Sequence, residues 1–255
     1  MRRHGLPAPL LPLLDLLRLF LGASVLAFAS YTDWRWRRAP NVLWLILAGA
    51  GLALLAVEAL LDGPRVAARW PYLVAAPALI TLVYGLWWTG LIAGGADAKA
   101  LMALALLLPF PVVVSDALPL WPAPMPGGFT VLGNSLLLFL AIPLSFAAWN
   151  LAHGDLRFPH LVLGVKRRAR DVRRGHQWPM EVVDEAGARR TKLFASRMTD
   201  EEIEASFERV QALGDERVWV SPKVPFMIPL LAGFLCAFFL GDLLMALMAR
   251  VVPAP

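Results

Sequence analysis

Uninterrupted apolar runs of about twenty residues recur along this 255-residue chain, separated by short polar or basic stretches. A helix needs roughly 20 such residues to cross a hydrocarbon layer about 30 Å thick. Inside lipid, backbone groups must satisfy one another, so runs of this length predict membrane helices. Composition agrees: 58% of residues are hydrophobic and only 17% are charged. Mean hydropathy is +0.61. An ordinary soluble domain carries more charge.

Six spans are predicted, near 12–32, 42–61, 71–92, 98–114, 130–152 and 224–249. Pro77, Pro109, Pro111 and Pro143 fall within these runs, and each is expected to kink its helix. The fold class expected is an all-α polytopic bundle of six transmembrane helices. A small α+β domain is expected between helices five and six. The corresponding division is 1–152 for the first five spans, 153–223 for the polar domain and 224–255 for the last span and tail.

Lys and Arg counts orient such a bundle. By parity, the loop holding Arg35, Arg37 and Arg38, the approach to Lys99, and segment 153–223 share one side. That side carries 18 Lys and Arg, against 5 on the other. The basic side is expected to be cytoplasmic in a multi-pass cell-membrane protein.

Segment 153–223 holds 14 Lys and Arg against 12 Asp and Glu, too polar to lie in lipid. Glu181–Asp184 and Thr191–Phe194 flank Glu185-Ala186-Gly187-Ala188 and predict a hairpin. Thr199-Asp200-Glu201-Glu202 reads as a capping box. It opens a helix with Ile203, Phe207 and Val210 on one stripe, ending near Gly214. Arg217–Val220 reads as a strand. The basic run Lys166–Arg170 with Arg173 and Arg174 suits anionic lipid headgroups. No fold motif or interleaved aromatics point to nucleic acid.

Asp33 closes the first run and Asp97 opens the fourth. Two crossings separate them, so parity puts both at the same membrane face. A carboxylate where water gives way to hydrocarbon is costly. Each can serve as a helix cap or interfacial group, and Asp97 at a helix start suits the dipole. Together they can also form a dyad in which one carboxyl holds a proton and the other activates water. Lys99 either pairs with Asp97 or snorkels to headgroups.

Gly94-Gly95-Ala96-Asp97 resembles the GxGD motif of the intramembrane aspartic proteases. Asp33-Trp34-Arg35-Trp36-Arg37-Arg38-Ala39-Pro40-Asn41 resembles the first-Asp segment of the type IV prepilin peptidases. Trp219–Phe226 running into Gly233 is similar to the closing region of the archaeal branch, which includes the preflagellin (prearchaellin) peptidases. The resemblance implies that Asp33 and Asp97 are the catalytic pair. It implies that Gly94, Gly95 and Ala96 keep a loop open for substrate, with Ala96 standing where the family has its second glycine. It implies no cofactor, and preproteins with a short basic leader and an apolar helix as partners, cut at the cytoplasmic face. The lone Cys236 departs from the bacterial branch, whose cysteine pairs are absent.

Other charged residues in the runs have blander readings. Asp15 and Arg18 suit an ion pair three residues apart. Glu58, Asp62 and Asp242 lie close to span ends and are expected at the interface. His4, His153, His160 and His176 lack metal-ligand spacing. Two rival functions remain: a proton- or cation-coupled transporter using Asp33 and Asp97, and a non-enzymatic anchor for the basic segment.

Overall fold

The computed structural model describes residues 10–36, 38–92, 94–115, 117–172, 177–183, 189–191, 200–214, 216–222 and 224–251. The chain divides into two compact units, residues 1–138 with 225–255, and residues 139–224.

The first unit begins with α1 (Leu10–Trp36), α2 (Asn41–Leu61), α3 (Gly63–Ala68), α4 (Trp70–Trp88), α5 (Gly95–Leu107) and α6 (Gly127–Phe139). Pro40 precedes α2 in extended conformation, which separates it from α1. Asp62 accepts from the backbone N–H of Arg65 at 3.3 Å and so starts α3 as its N-cap. The second unit holds α7 (Ala141–Ala152), α8 (His160–Leu163), β1 (Val165–Arg168), β2 (Gln177–Pro179), β3 (Glu181–Val183), β4 (Arg189–Thr191), α9 (Asp200–Gln211) and β5 (Arg217–Pro222). The chain returns to the first unit through α10 (Met227–Phe239) and α11 (Leu243–Val251).

Four helical segments are long and apolar enough to cross a membrane: Pro12–Trp36, Asn41–Leu61, Trp70–Trp88 and Gly127–Ala152. They match predicted spans one, two, three and five. The other two depart from expectation. Span four is helical only over α5, whose 13 residues reach about 20 Å. Pro109 and Pro111 stop it: a residue before proline is driven out of the helical region. The chain continues non-helically with Leu108, Phe110 and Val112 buried. The carbonyls of Leu108 and Phe110 accept from the N–H groups of Gly128 and Gly127, at 3.1 and 3.0 Å. Span six is a pair, α10 and α11, bent by 67°. Counting that pair as one broken span gives five.

The bend has a local cause. Gly241 adopts φ +94°, which side-chain-bearing residues avoid. The open backbone groups find partners elsewhere. Leu120 and Trp121 donate to the carbonyls of Phe239 and Leu240 at 3.2 and 2.9 Å. Asn134, fully buried on α6, donates to the Gly241 carbonyl at 2.9 Å and accepts from Leu243 N–H at 2.9 Å. Asp242 is buried rather than interfacial, and its carboxylate caps α11 through the N–H of Met245 at 3.0 Å.

Leu26, Leu47, Leu79, Leu104, Met227, Phe234 and Phe238 form the heart of this unit's core. Two features fix the helices at close range. Ser30 on α1 donates to the Met227 carbonyl of α10 at 2.9 Å. On α2, a Cβ added to Gly51 would lie 2.6 Å from the backbone of Leu106 and Leu107, so α2 and α5 touch almost backbone to backbone.

In the second unit, β1, β5 and β2 form an antiparallel sheet in that order, with Val165 opposite Val220 and Trp178 opposite Ser221. β3 and β4 pair antiparallel as expected, with Glu181 opposite Thr191, so the second strand begins at Arg189, earlier than the sequence suggests, while residues 192–194 lie outside the described residues. Phe207 and Val210 of α9 pack on Ala169, Val172, Val218 and Val220. Thr199 of the capping box and the Ile203 side chain lie outside what is described. Asn150 ties α7 to α8 by donating to the carbonyls of Leu161 and Gly164 at 2.8 and 2.7 Å.

Candidate active site

Asp33 sits in the last turn of α1, a helix of about 40 Å that is longer than a hydrocarbon layer. Around it Tyr31 and Trp36 meet edge to face at 5.7 Å, and Trp34 projects outward. Near the end of α4, Tyr84 stacks on Trp88, which is 77% exposed. Such aromatic clusters settle at the headgroup level of a membrane.

Asp97 lies in the first turn of α5, where the helix dipole favours a negative charge. Gly94 precedes the helix in extended conformation, and its carbonyl accepts from Ala98 N–H at 3.1 Å. The Asp97 carboxylate folds back over the Gly94 Cα: a Cβ there would run into Oδ2. Gly95 is already helical and faces the Trp87 indole, with room for a methyl group at 3.5 Å. Ala96 is helical too and packs against the core. The backbone there asks for nothing that alanine resists.

The two carboxyls are brought to one end of the bundle. Asp33 is close enough for its charge to act on Asp97. Both are partly exposed. Lys99 does not pair with Asp97: its Nζ donates to Asn41 Oδ1, at the exposed start of α2, at 2.9 Å. Residues two apart on a helix face different directions, which is why sequence adjacency misleads here.

A second charged group lies eighteen residues back along α1, about 27 Å away. Arg18 bonds Asp15 and Glu58, both at 2.8 Å, and Arg69 lies 3.9 Å from Glu58. Glu58 is 1% exposed, so it is a buried partner of Arg18 and not an interfacial acid. The group borders a cavity of about 180 Å³ with Arg65, Phe110 and Val113. The sequence carried a signal for it: Arg18 and Glu58 both sit in apolar runs, where each needs an opposite charge.

In the second unit the basic run is largely β1, with Arg167 and Arg168 exposed. Lys166 pairs with Asp155 and also lies over the Trp219 ring at 5.2 Å. Arg157 pairs with Glu181 at 3.5 Å. Arg173 and Arg174 lie outside the described residues. His160 is 1% exposed beside Trp219, with neither ring nitrogen hydrogen-bonded. Burial, reinforced by the charge of Arg157, pushes its pKa below the usual histidine value. Among the described residues, no group of three His, Cys, Asp or Glu is arranged to hold a metal ion.

These features define a helical membrane protein with two carboxyls near one another at one end of its bundle, one of them on a glycine-led helix start. Residues 20–149 match the type IV leader peptidase family, and residues 157–243 match the archaeal peptidase A24 C-terminus, type II. A preflagellin peptidase of Methanococcus voltae is 25% identical over 240 residues, covering 89% of this chain and 96% of that protein. The chain belongs to the type IV leader peptidase family and is, on that ground, a peptidase.

Proposed function

We propose that this protein is an intramembrane aspartic endopeptidase that removes leader peptides from prepilin- or prearchaellin-like preproteins, with Asp33 and Asp97 as the catalytic pair. The observation that carries the reading is the approach of Asp33, at the end of α1, to Asp97, at the start of α5, close enough to interact electrostatically. Family membership supports the leader substrate, as does the kinship with a preflagellin peptidase.

Two carboxyls at close range share one proton. The ionised one takes a proton from water as its oxygen attacks the scissile carbonyl. The protonated one donates to the carbonyl oxygen. Collapse of the tetrahedral intermediate breaks the C–N bond, and the leaving amine takes up a proton from the dyad. The substrate's apolar helix lies in the bilayer with its basic leader in the cytoplasm. The bond between them then falls at the aromatic-ringed, cytoplasmic end where the carboxyls stand. Gly94 leaves Asp97 its folded-back position, and Gly95 and Ala96 line the approach. The polar domain at 153–223 faces the same side in this reading.

A carrier using the same acids loses ground, because transporter sites tend to lie near the bilayer midplane and these sit at a bundle end. The deciding experiment is leader cleavage by purified protein in lipid. Asp33→Asn and Asp97→Asn are each expected to insert normally and to cut at under a hundredth of the parent rate. Full processing by either variant overturns the assignment.

A further inference from the structure

We infer that the Lys99–Asn41 hydrogen bond is a positioning latch that sets the separation of Asp33 and Asp97. The inference rests on the dyad reading and deepens it by naming what holds the two halves together.

The two carboxyls reach the site on different pieces of chain. Asp97 is two residues before Lys99 on α5, and Asp33 is eight residues before Asn41, through the short connection into α2. Lys99 Nζ to Asn41 Oδ1 at 2.9 Å therefore ties the Asp97 helix directly to the segment that follows Asp33. Asn41 makes no cap for its own helix, whose N-cap position is Pro40 without a side-chain bond. Its amide oxygen is spent across to α5 instead.

The latch has a counterpart further along. At Gly51, ten residues into α2, the helix rests on the backbone of Leu106 and Leu107 of α5. From Asn41 to Gly51 and from Lys99 to Leu107 the two helices advance in the same direction, by about 15 and 12 Å. They are thus parallel neighbours with two points of register. The Gly51 contact is steric and sits in the core. The Lys99 contact is polar and sits beside the carboxyls. With the polar point cut, the first turn of α5 loses its side-chain tie to the start of α2, and its Asp97 face can shift while Ala98, Ala100 and Leu101 stay packed in the core. Misplacement of about 1 Å in a reacting group can cost on the order of a hundredfold in rate.

The test uses the full-length protein in lipid and a leader-bearing substrate. Asn41→Leu and Lys99→Met are each expected to lower kcat about 10- to 100-fold with KM changed less than twofold. The double variant is expected to be no worse than the poorer single, because both remove one interaction. Lys99→Arg, which keeps a donor, is expected to recover most of the rate. The acid and alkaline limbs of the rate profile should also draw together in the single variants, since more distant carboxyls titrate more independently. Unchanged kcat in the singles, losses that multiply in the double, or pH limbs that stay in place overturn the latch. If Asn41→Leu fails to accumulate, Lys99→Met alone decides, because it leaves the α2 start intact. Asp33→Asn and Asp97→Asn run alongside. If they are inactive while the latch variants are normal, only the latch falls; if they cleave, the dyad reading falls and the latch with it.

Discussion

Gly51→Ala tests the packing of α2 on α5 at its tightest point. The added Cβ would stand 2.6 Å from the Leu106 carbonyl oxygen and from N and Cα of Leu107. Carbon needs about 3.5 Å for an ordinary contact, so the helices must part by about 1 Å. The obstacle is backbone, and no rotamer change relieves it. Overpacking of this kind costs about 1–3 kcal/mol. At roughly 2–4 °C per kcal/mol for a chain of this size, thermal unfolding in detergent should fall by about 2–12 °C. Gly49, two residues earlier on the same helix, is the control, since nothing lies within 4 Å of a Cβ there. Gly49→Ala should leave the midpoint unchanged or raise it, as alanine is the better helix former. A Gly51→Ala protein that melts within 1 °C of the parent, or a Gly49→Ala protein that melts equally low, refutes the argument from close approach.

Three other outcomes follow from the geometry. Gly94→Ala should cut leader cleavage on the order of a hundredfold without changing the unfolding midpoint, by forcing the Asp97 carboxylate to turn, whereas Gly95→Ala should cost little; both are read from initial rates. Glu58→Ala leaves the buried Arg18 with Asp15 as its remaining carboxylate partner and should destabilise by about 1.5–3 kcal/mol, measured as lost accumulation and a lower midpoint. His160 has its folded pKa below its unfolded value of 6.5. It therefore contributes nothing above that pH, and below it the unfolded state binds the proton more strongly. Protection of β5 amides in hydrogen exchange should then fall by up to about 1.4 kcal/mol per pH unit below 6.5, and His160→Leu should flatten that decline.

Length and hydropathy alone located α1, α2, α4 and the Gly127–Ala152 segment, because lipid crossing demands that many apolar residues in a row. They misjudged the helical extent of 98–114, apolar apart from Lys99, since Pro109 and Pro111 end the helix without altering its hydrophobicity. They did not show the break within 224–249, which the sequence marks only by Gly241 and the capping Asp242 beside it. β1 was legible only as charge, because Val165–Arg168 alternates too little to read as a strand. Of the candidate site, counting crossings gave the expectation that Asp33 and Asp97 share a face. The partner of Lys99 was not legible, since it lies 58 residues away and only the parallel packing of α2 and α5 brings it near.

The break between α10 and α11 bears on how the chain is assembled in the bilayer. Its carbonyls and amides are answered by Asn134, Leu120 and Trp121, all synthesised earlier. Alone in hydrocarbon, this last segment would expose those groups at several kcal/mol apiece. Its hydrophobicity therefore does not suffice to hold the bend. The segment takes up its bent course only once α6 and the 119–121 loop are there to receive it, so the bend is set by docking onto helices already in place.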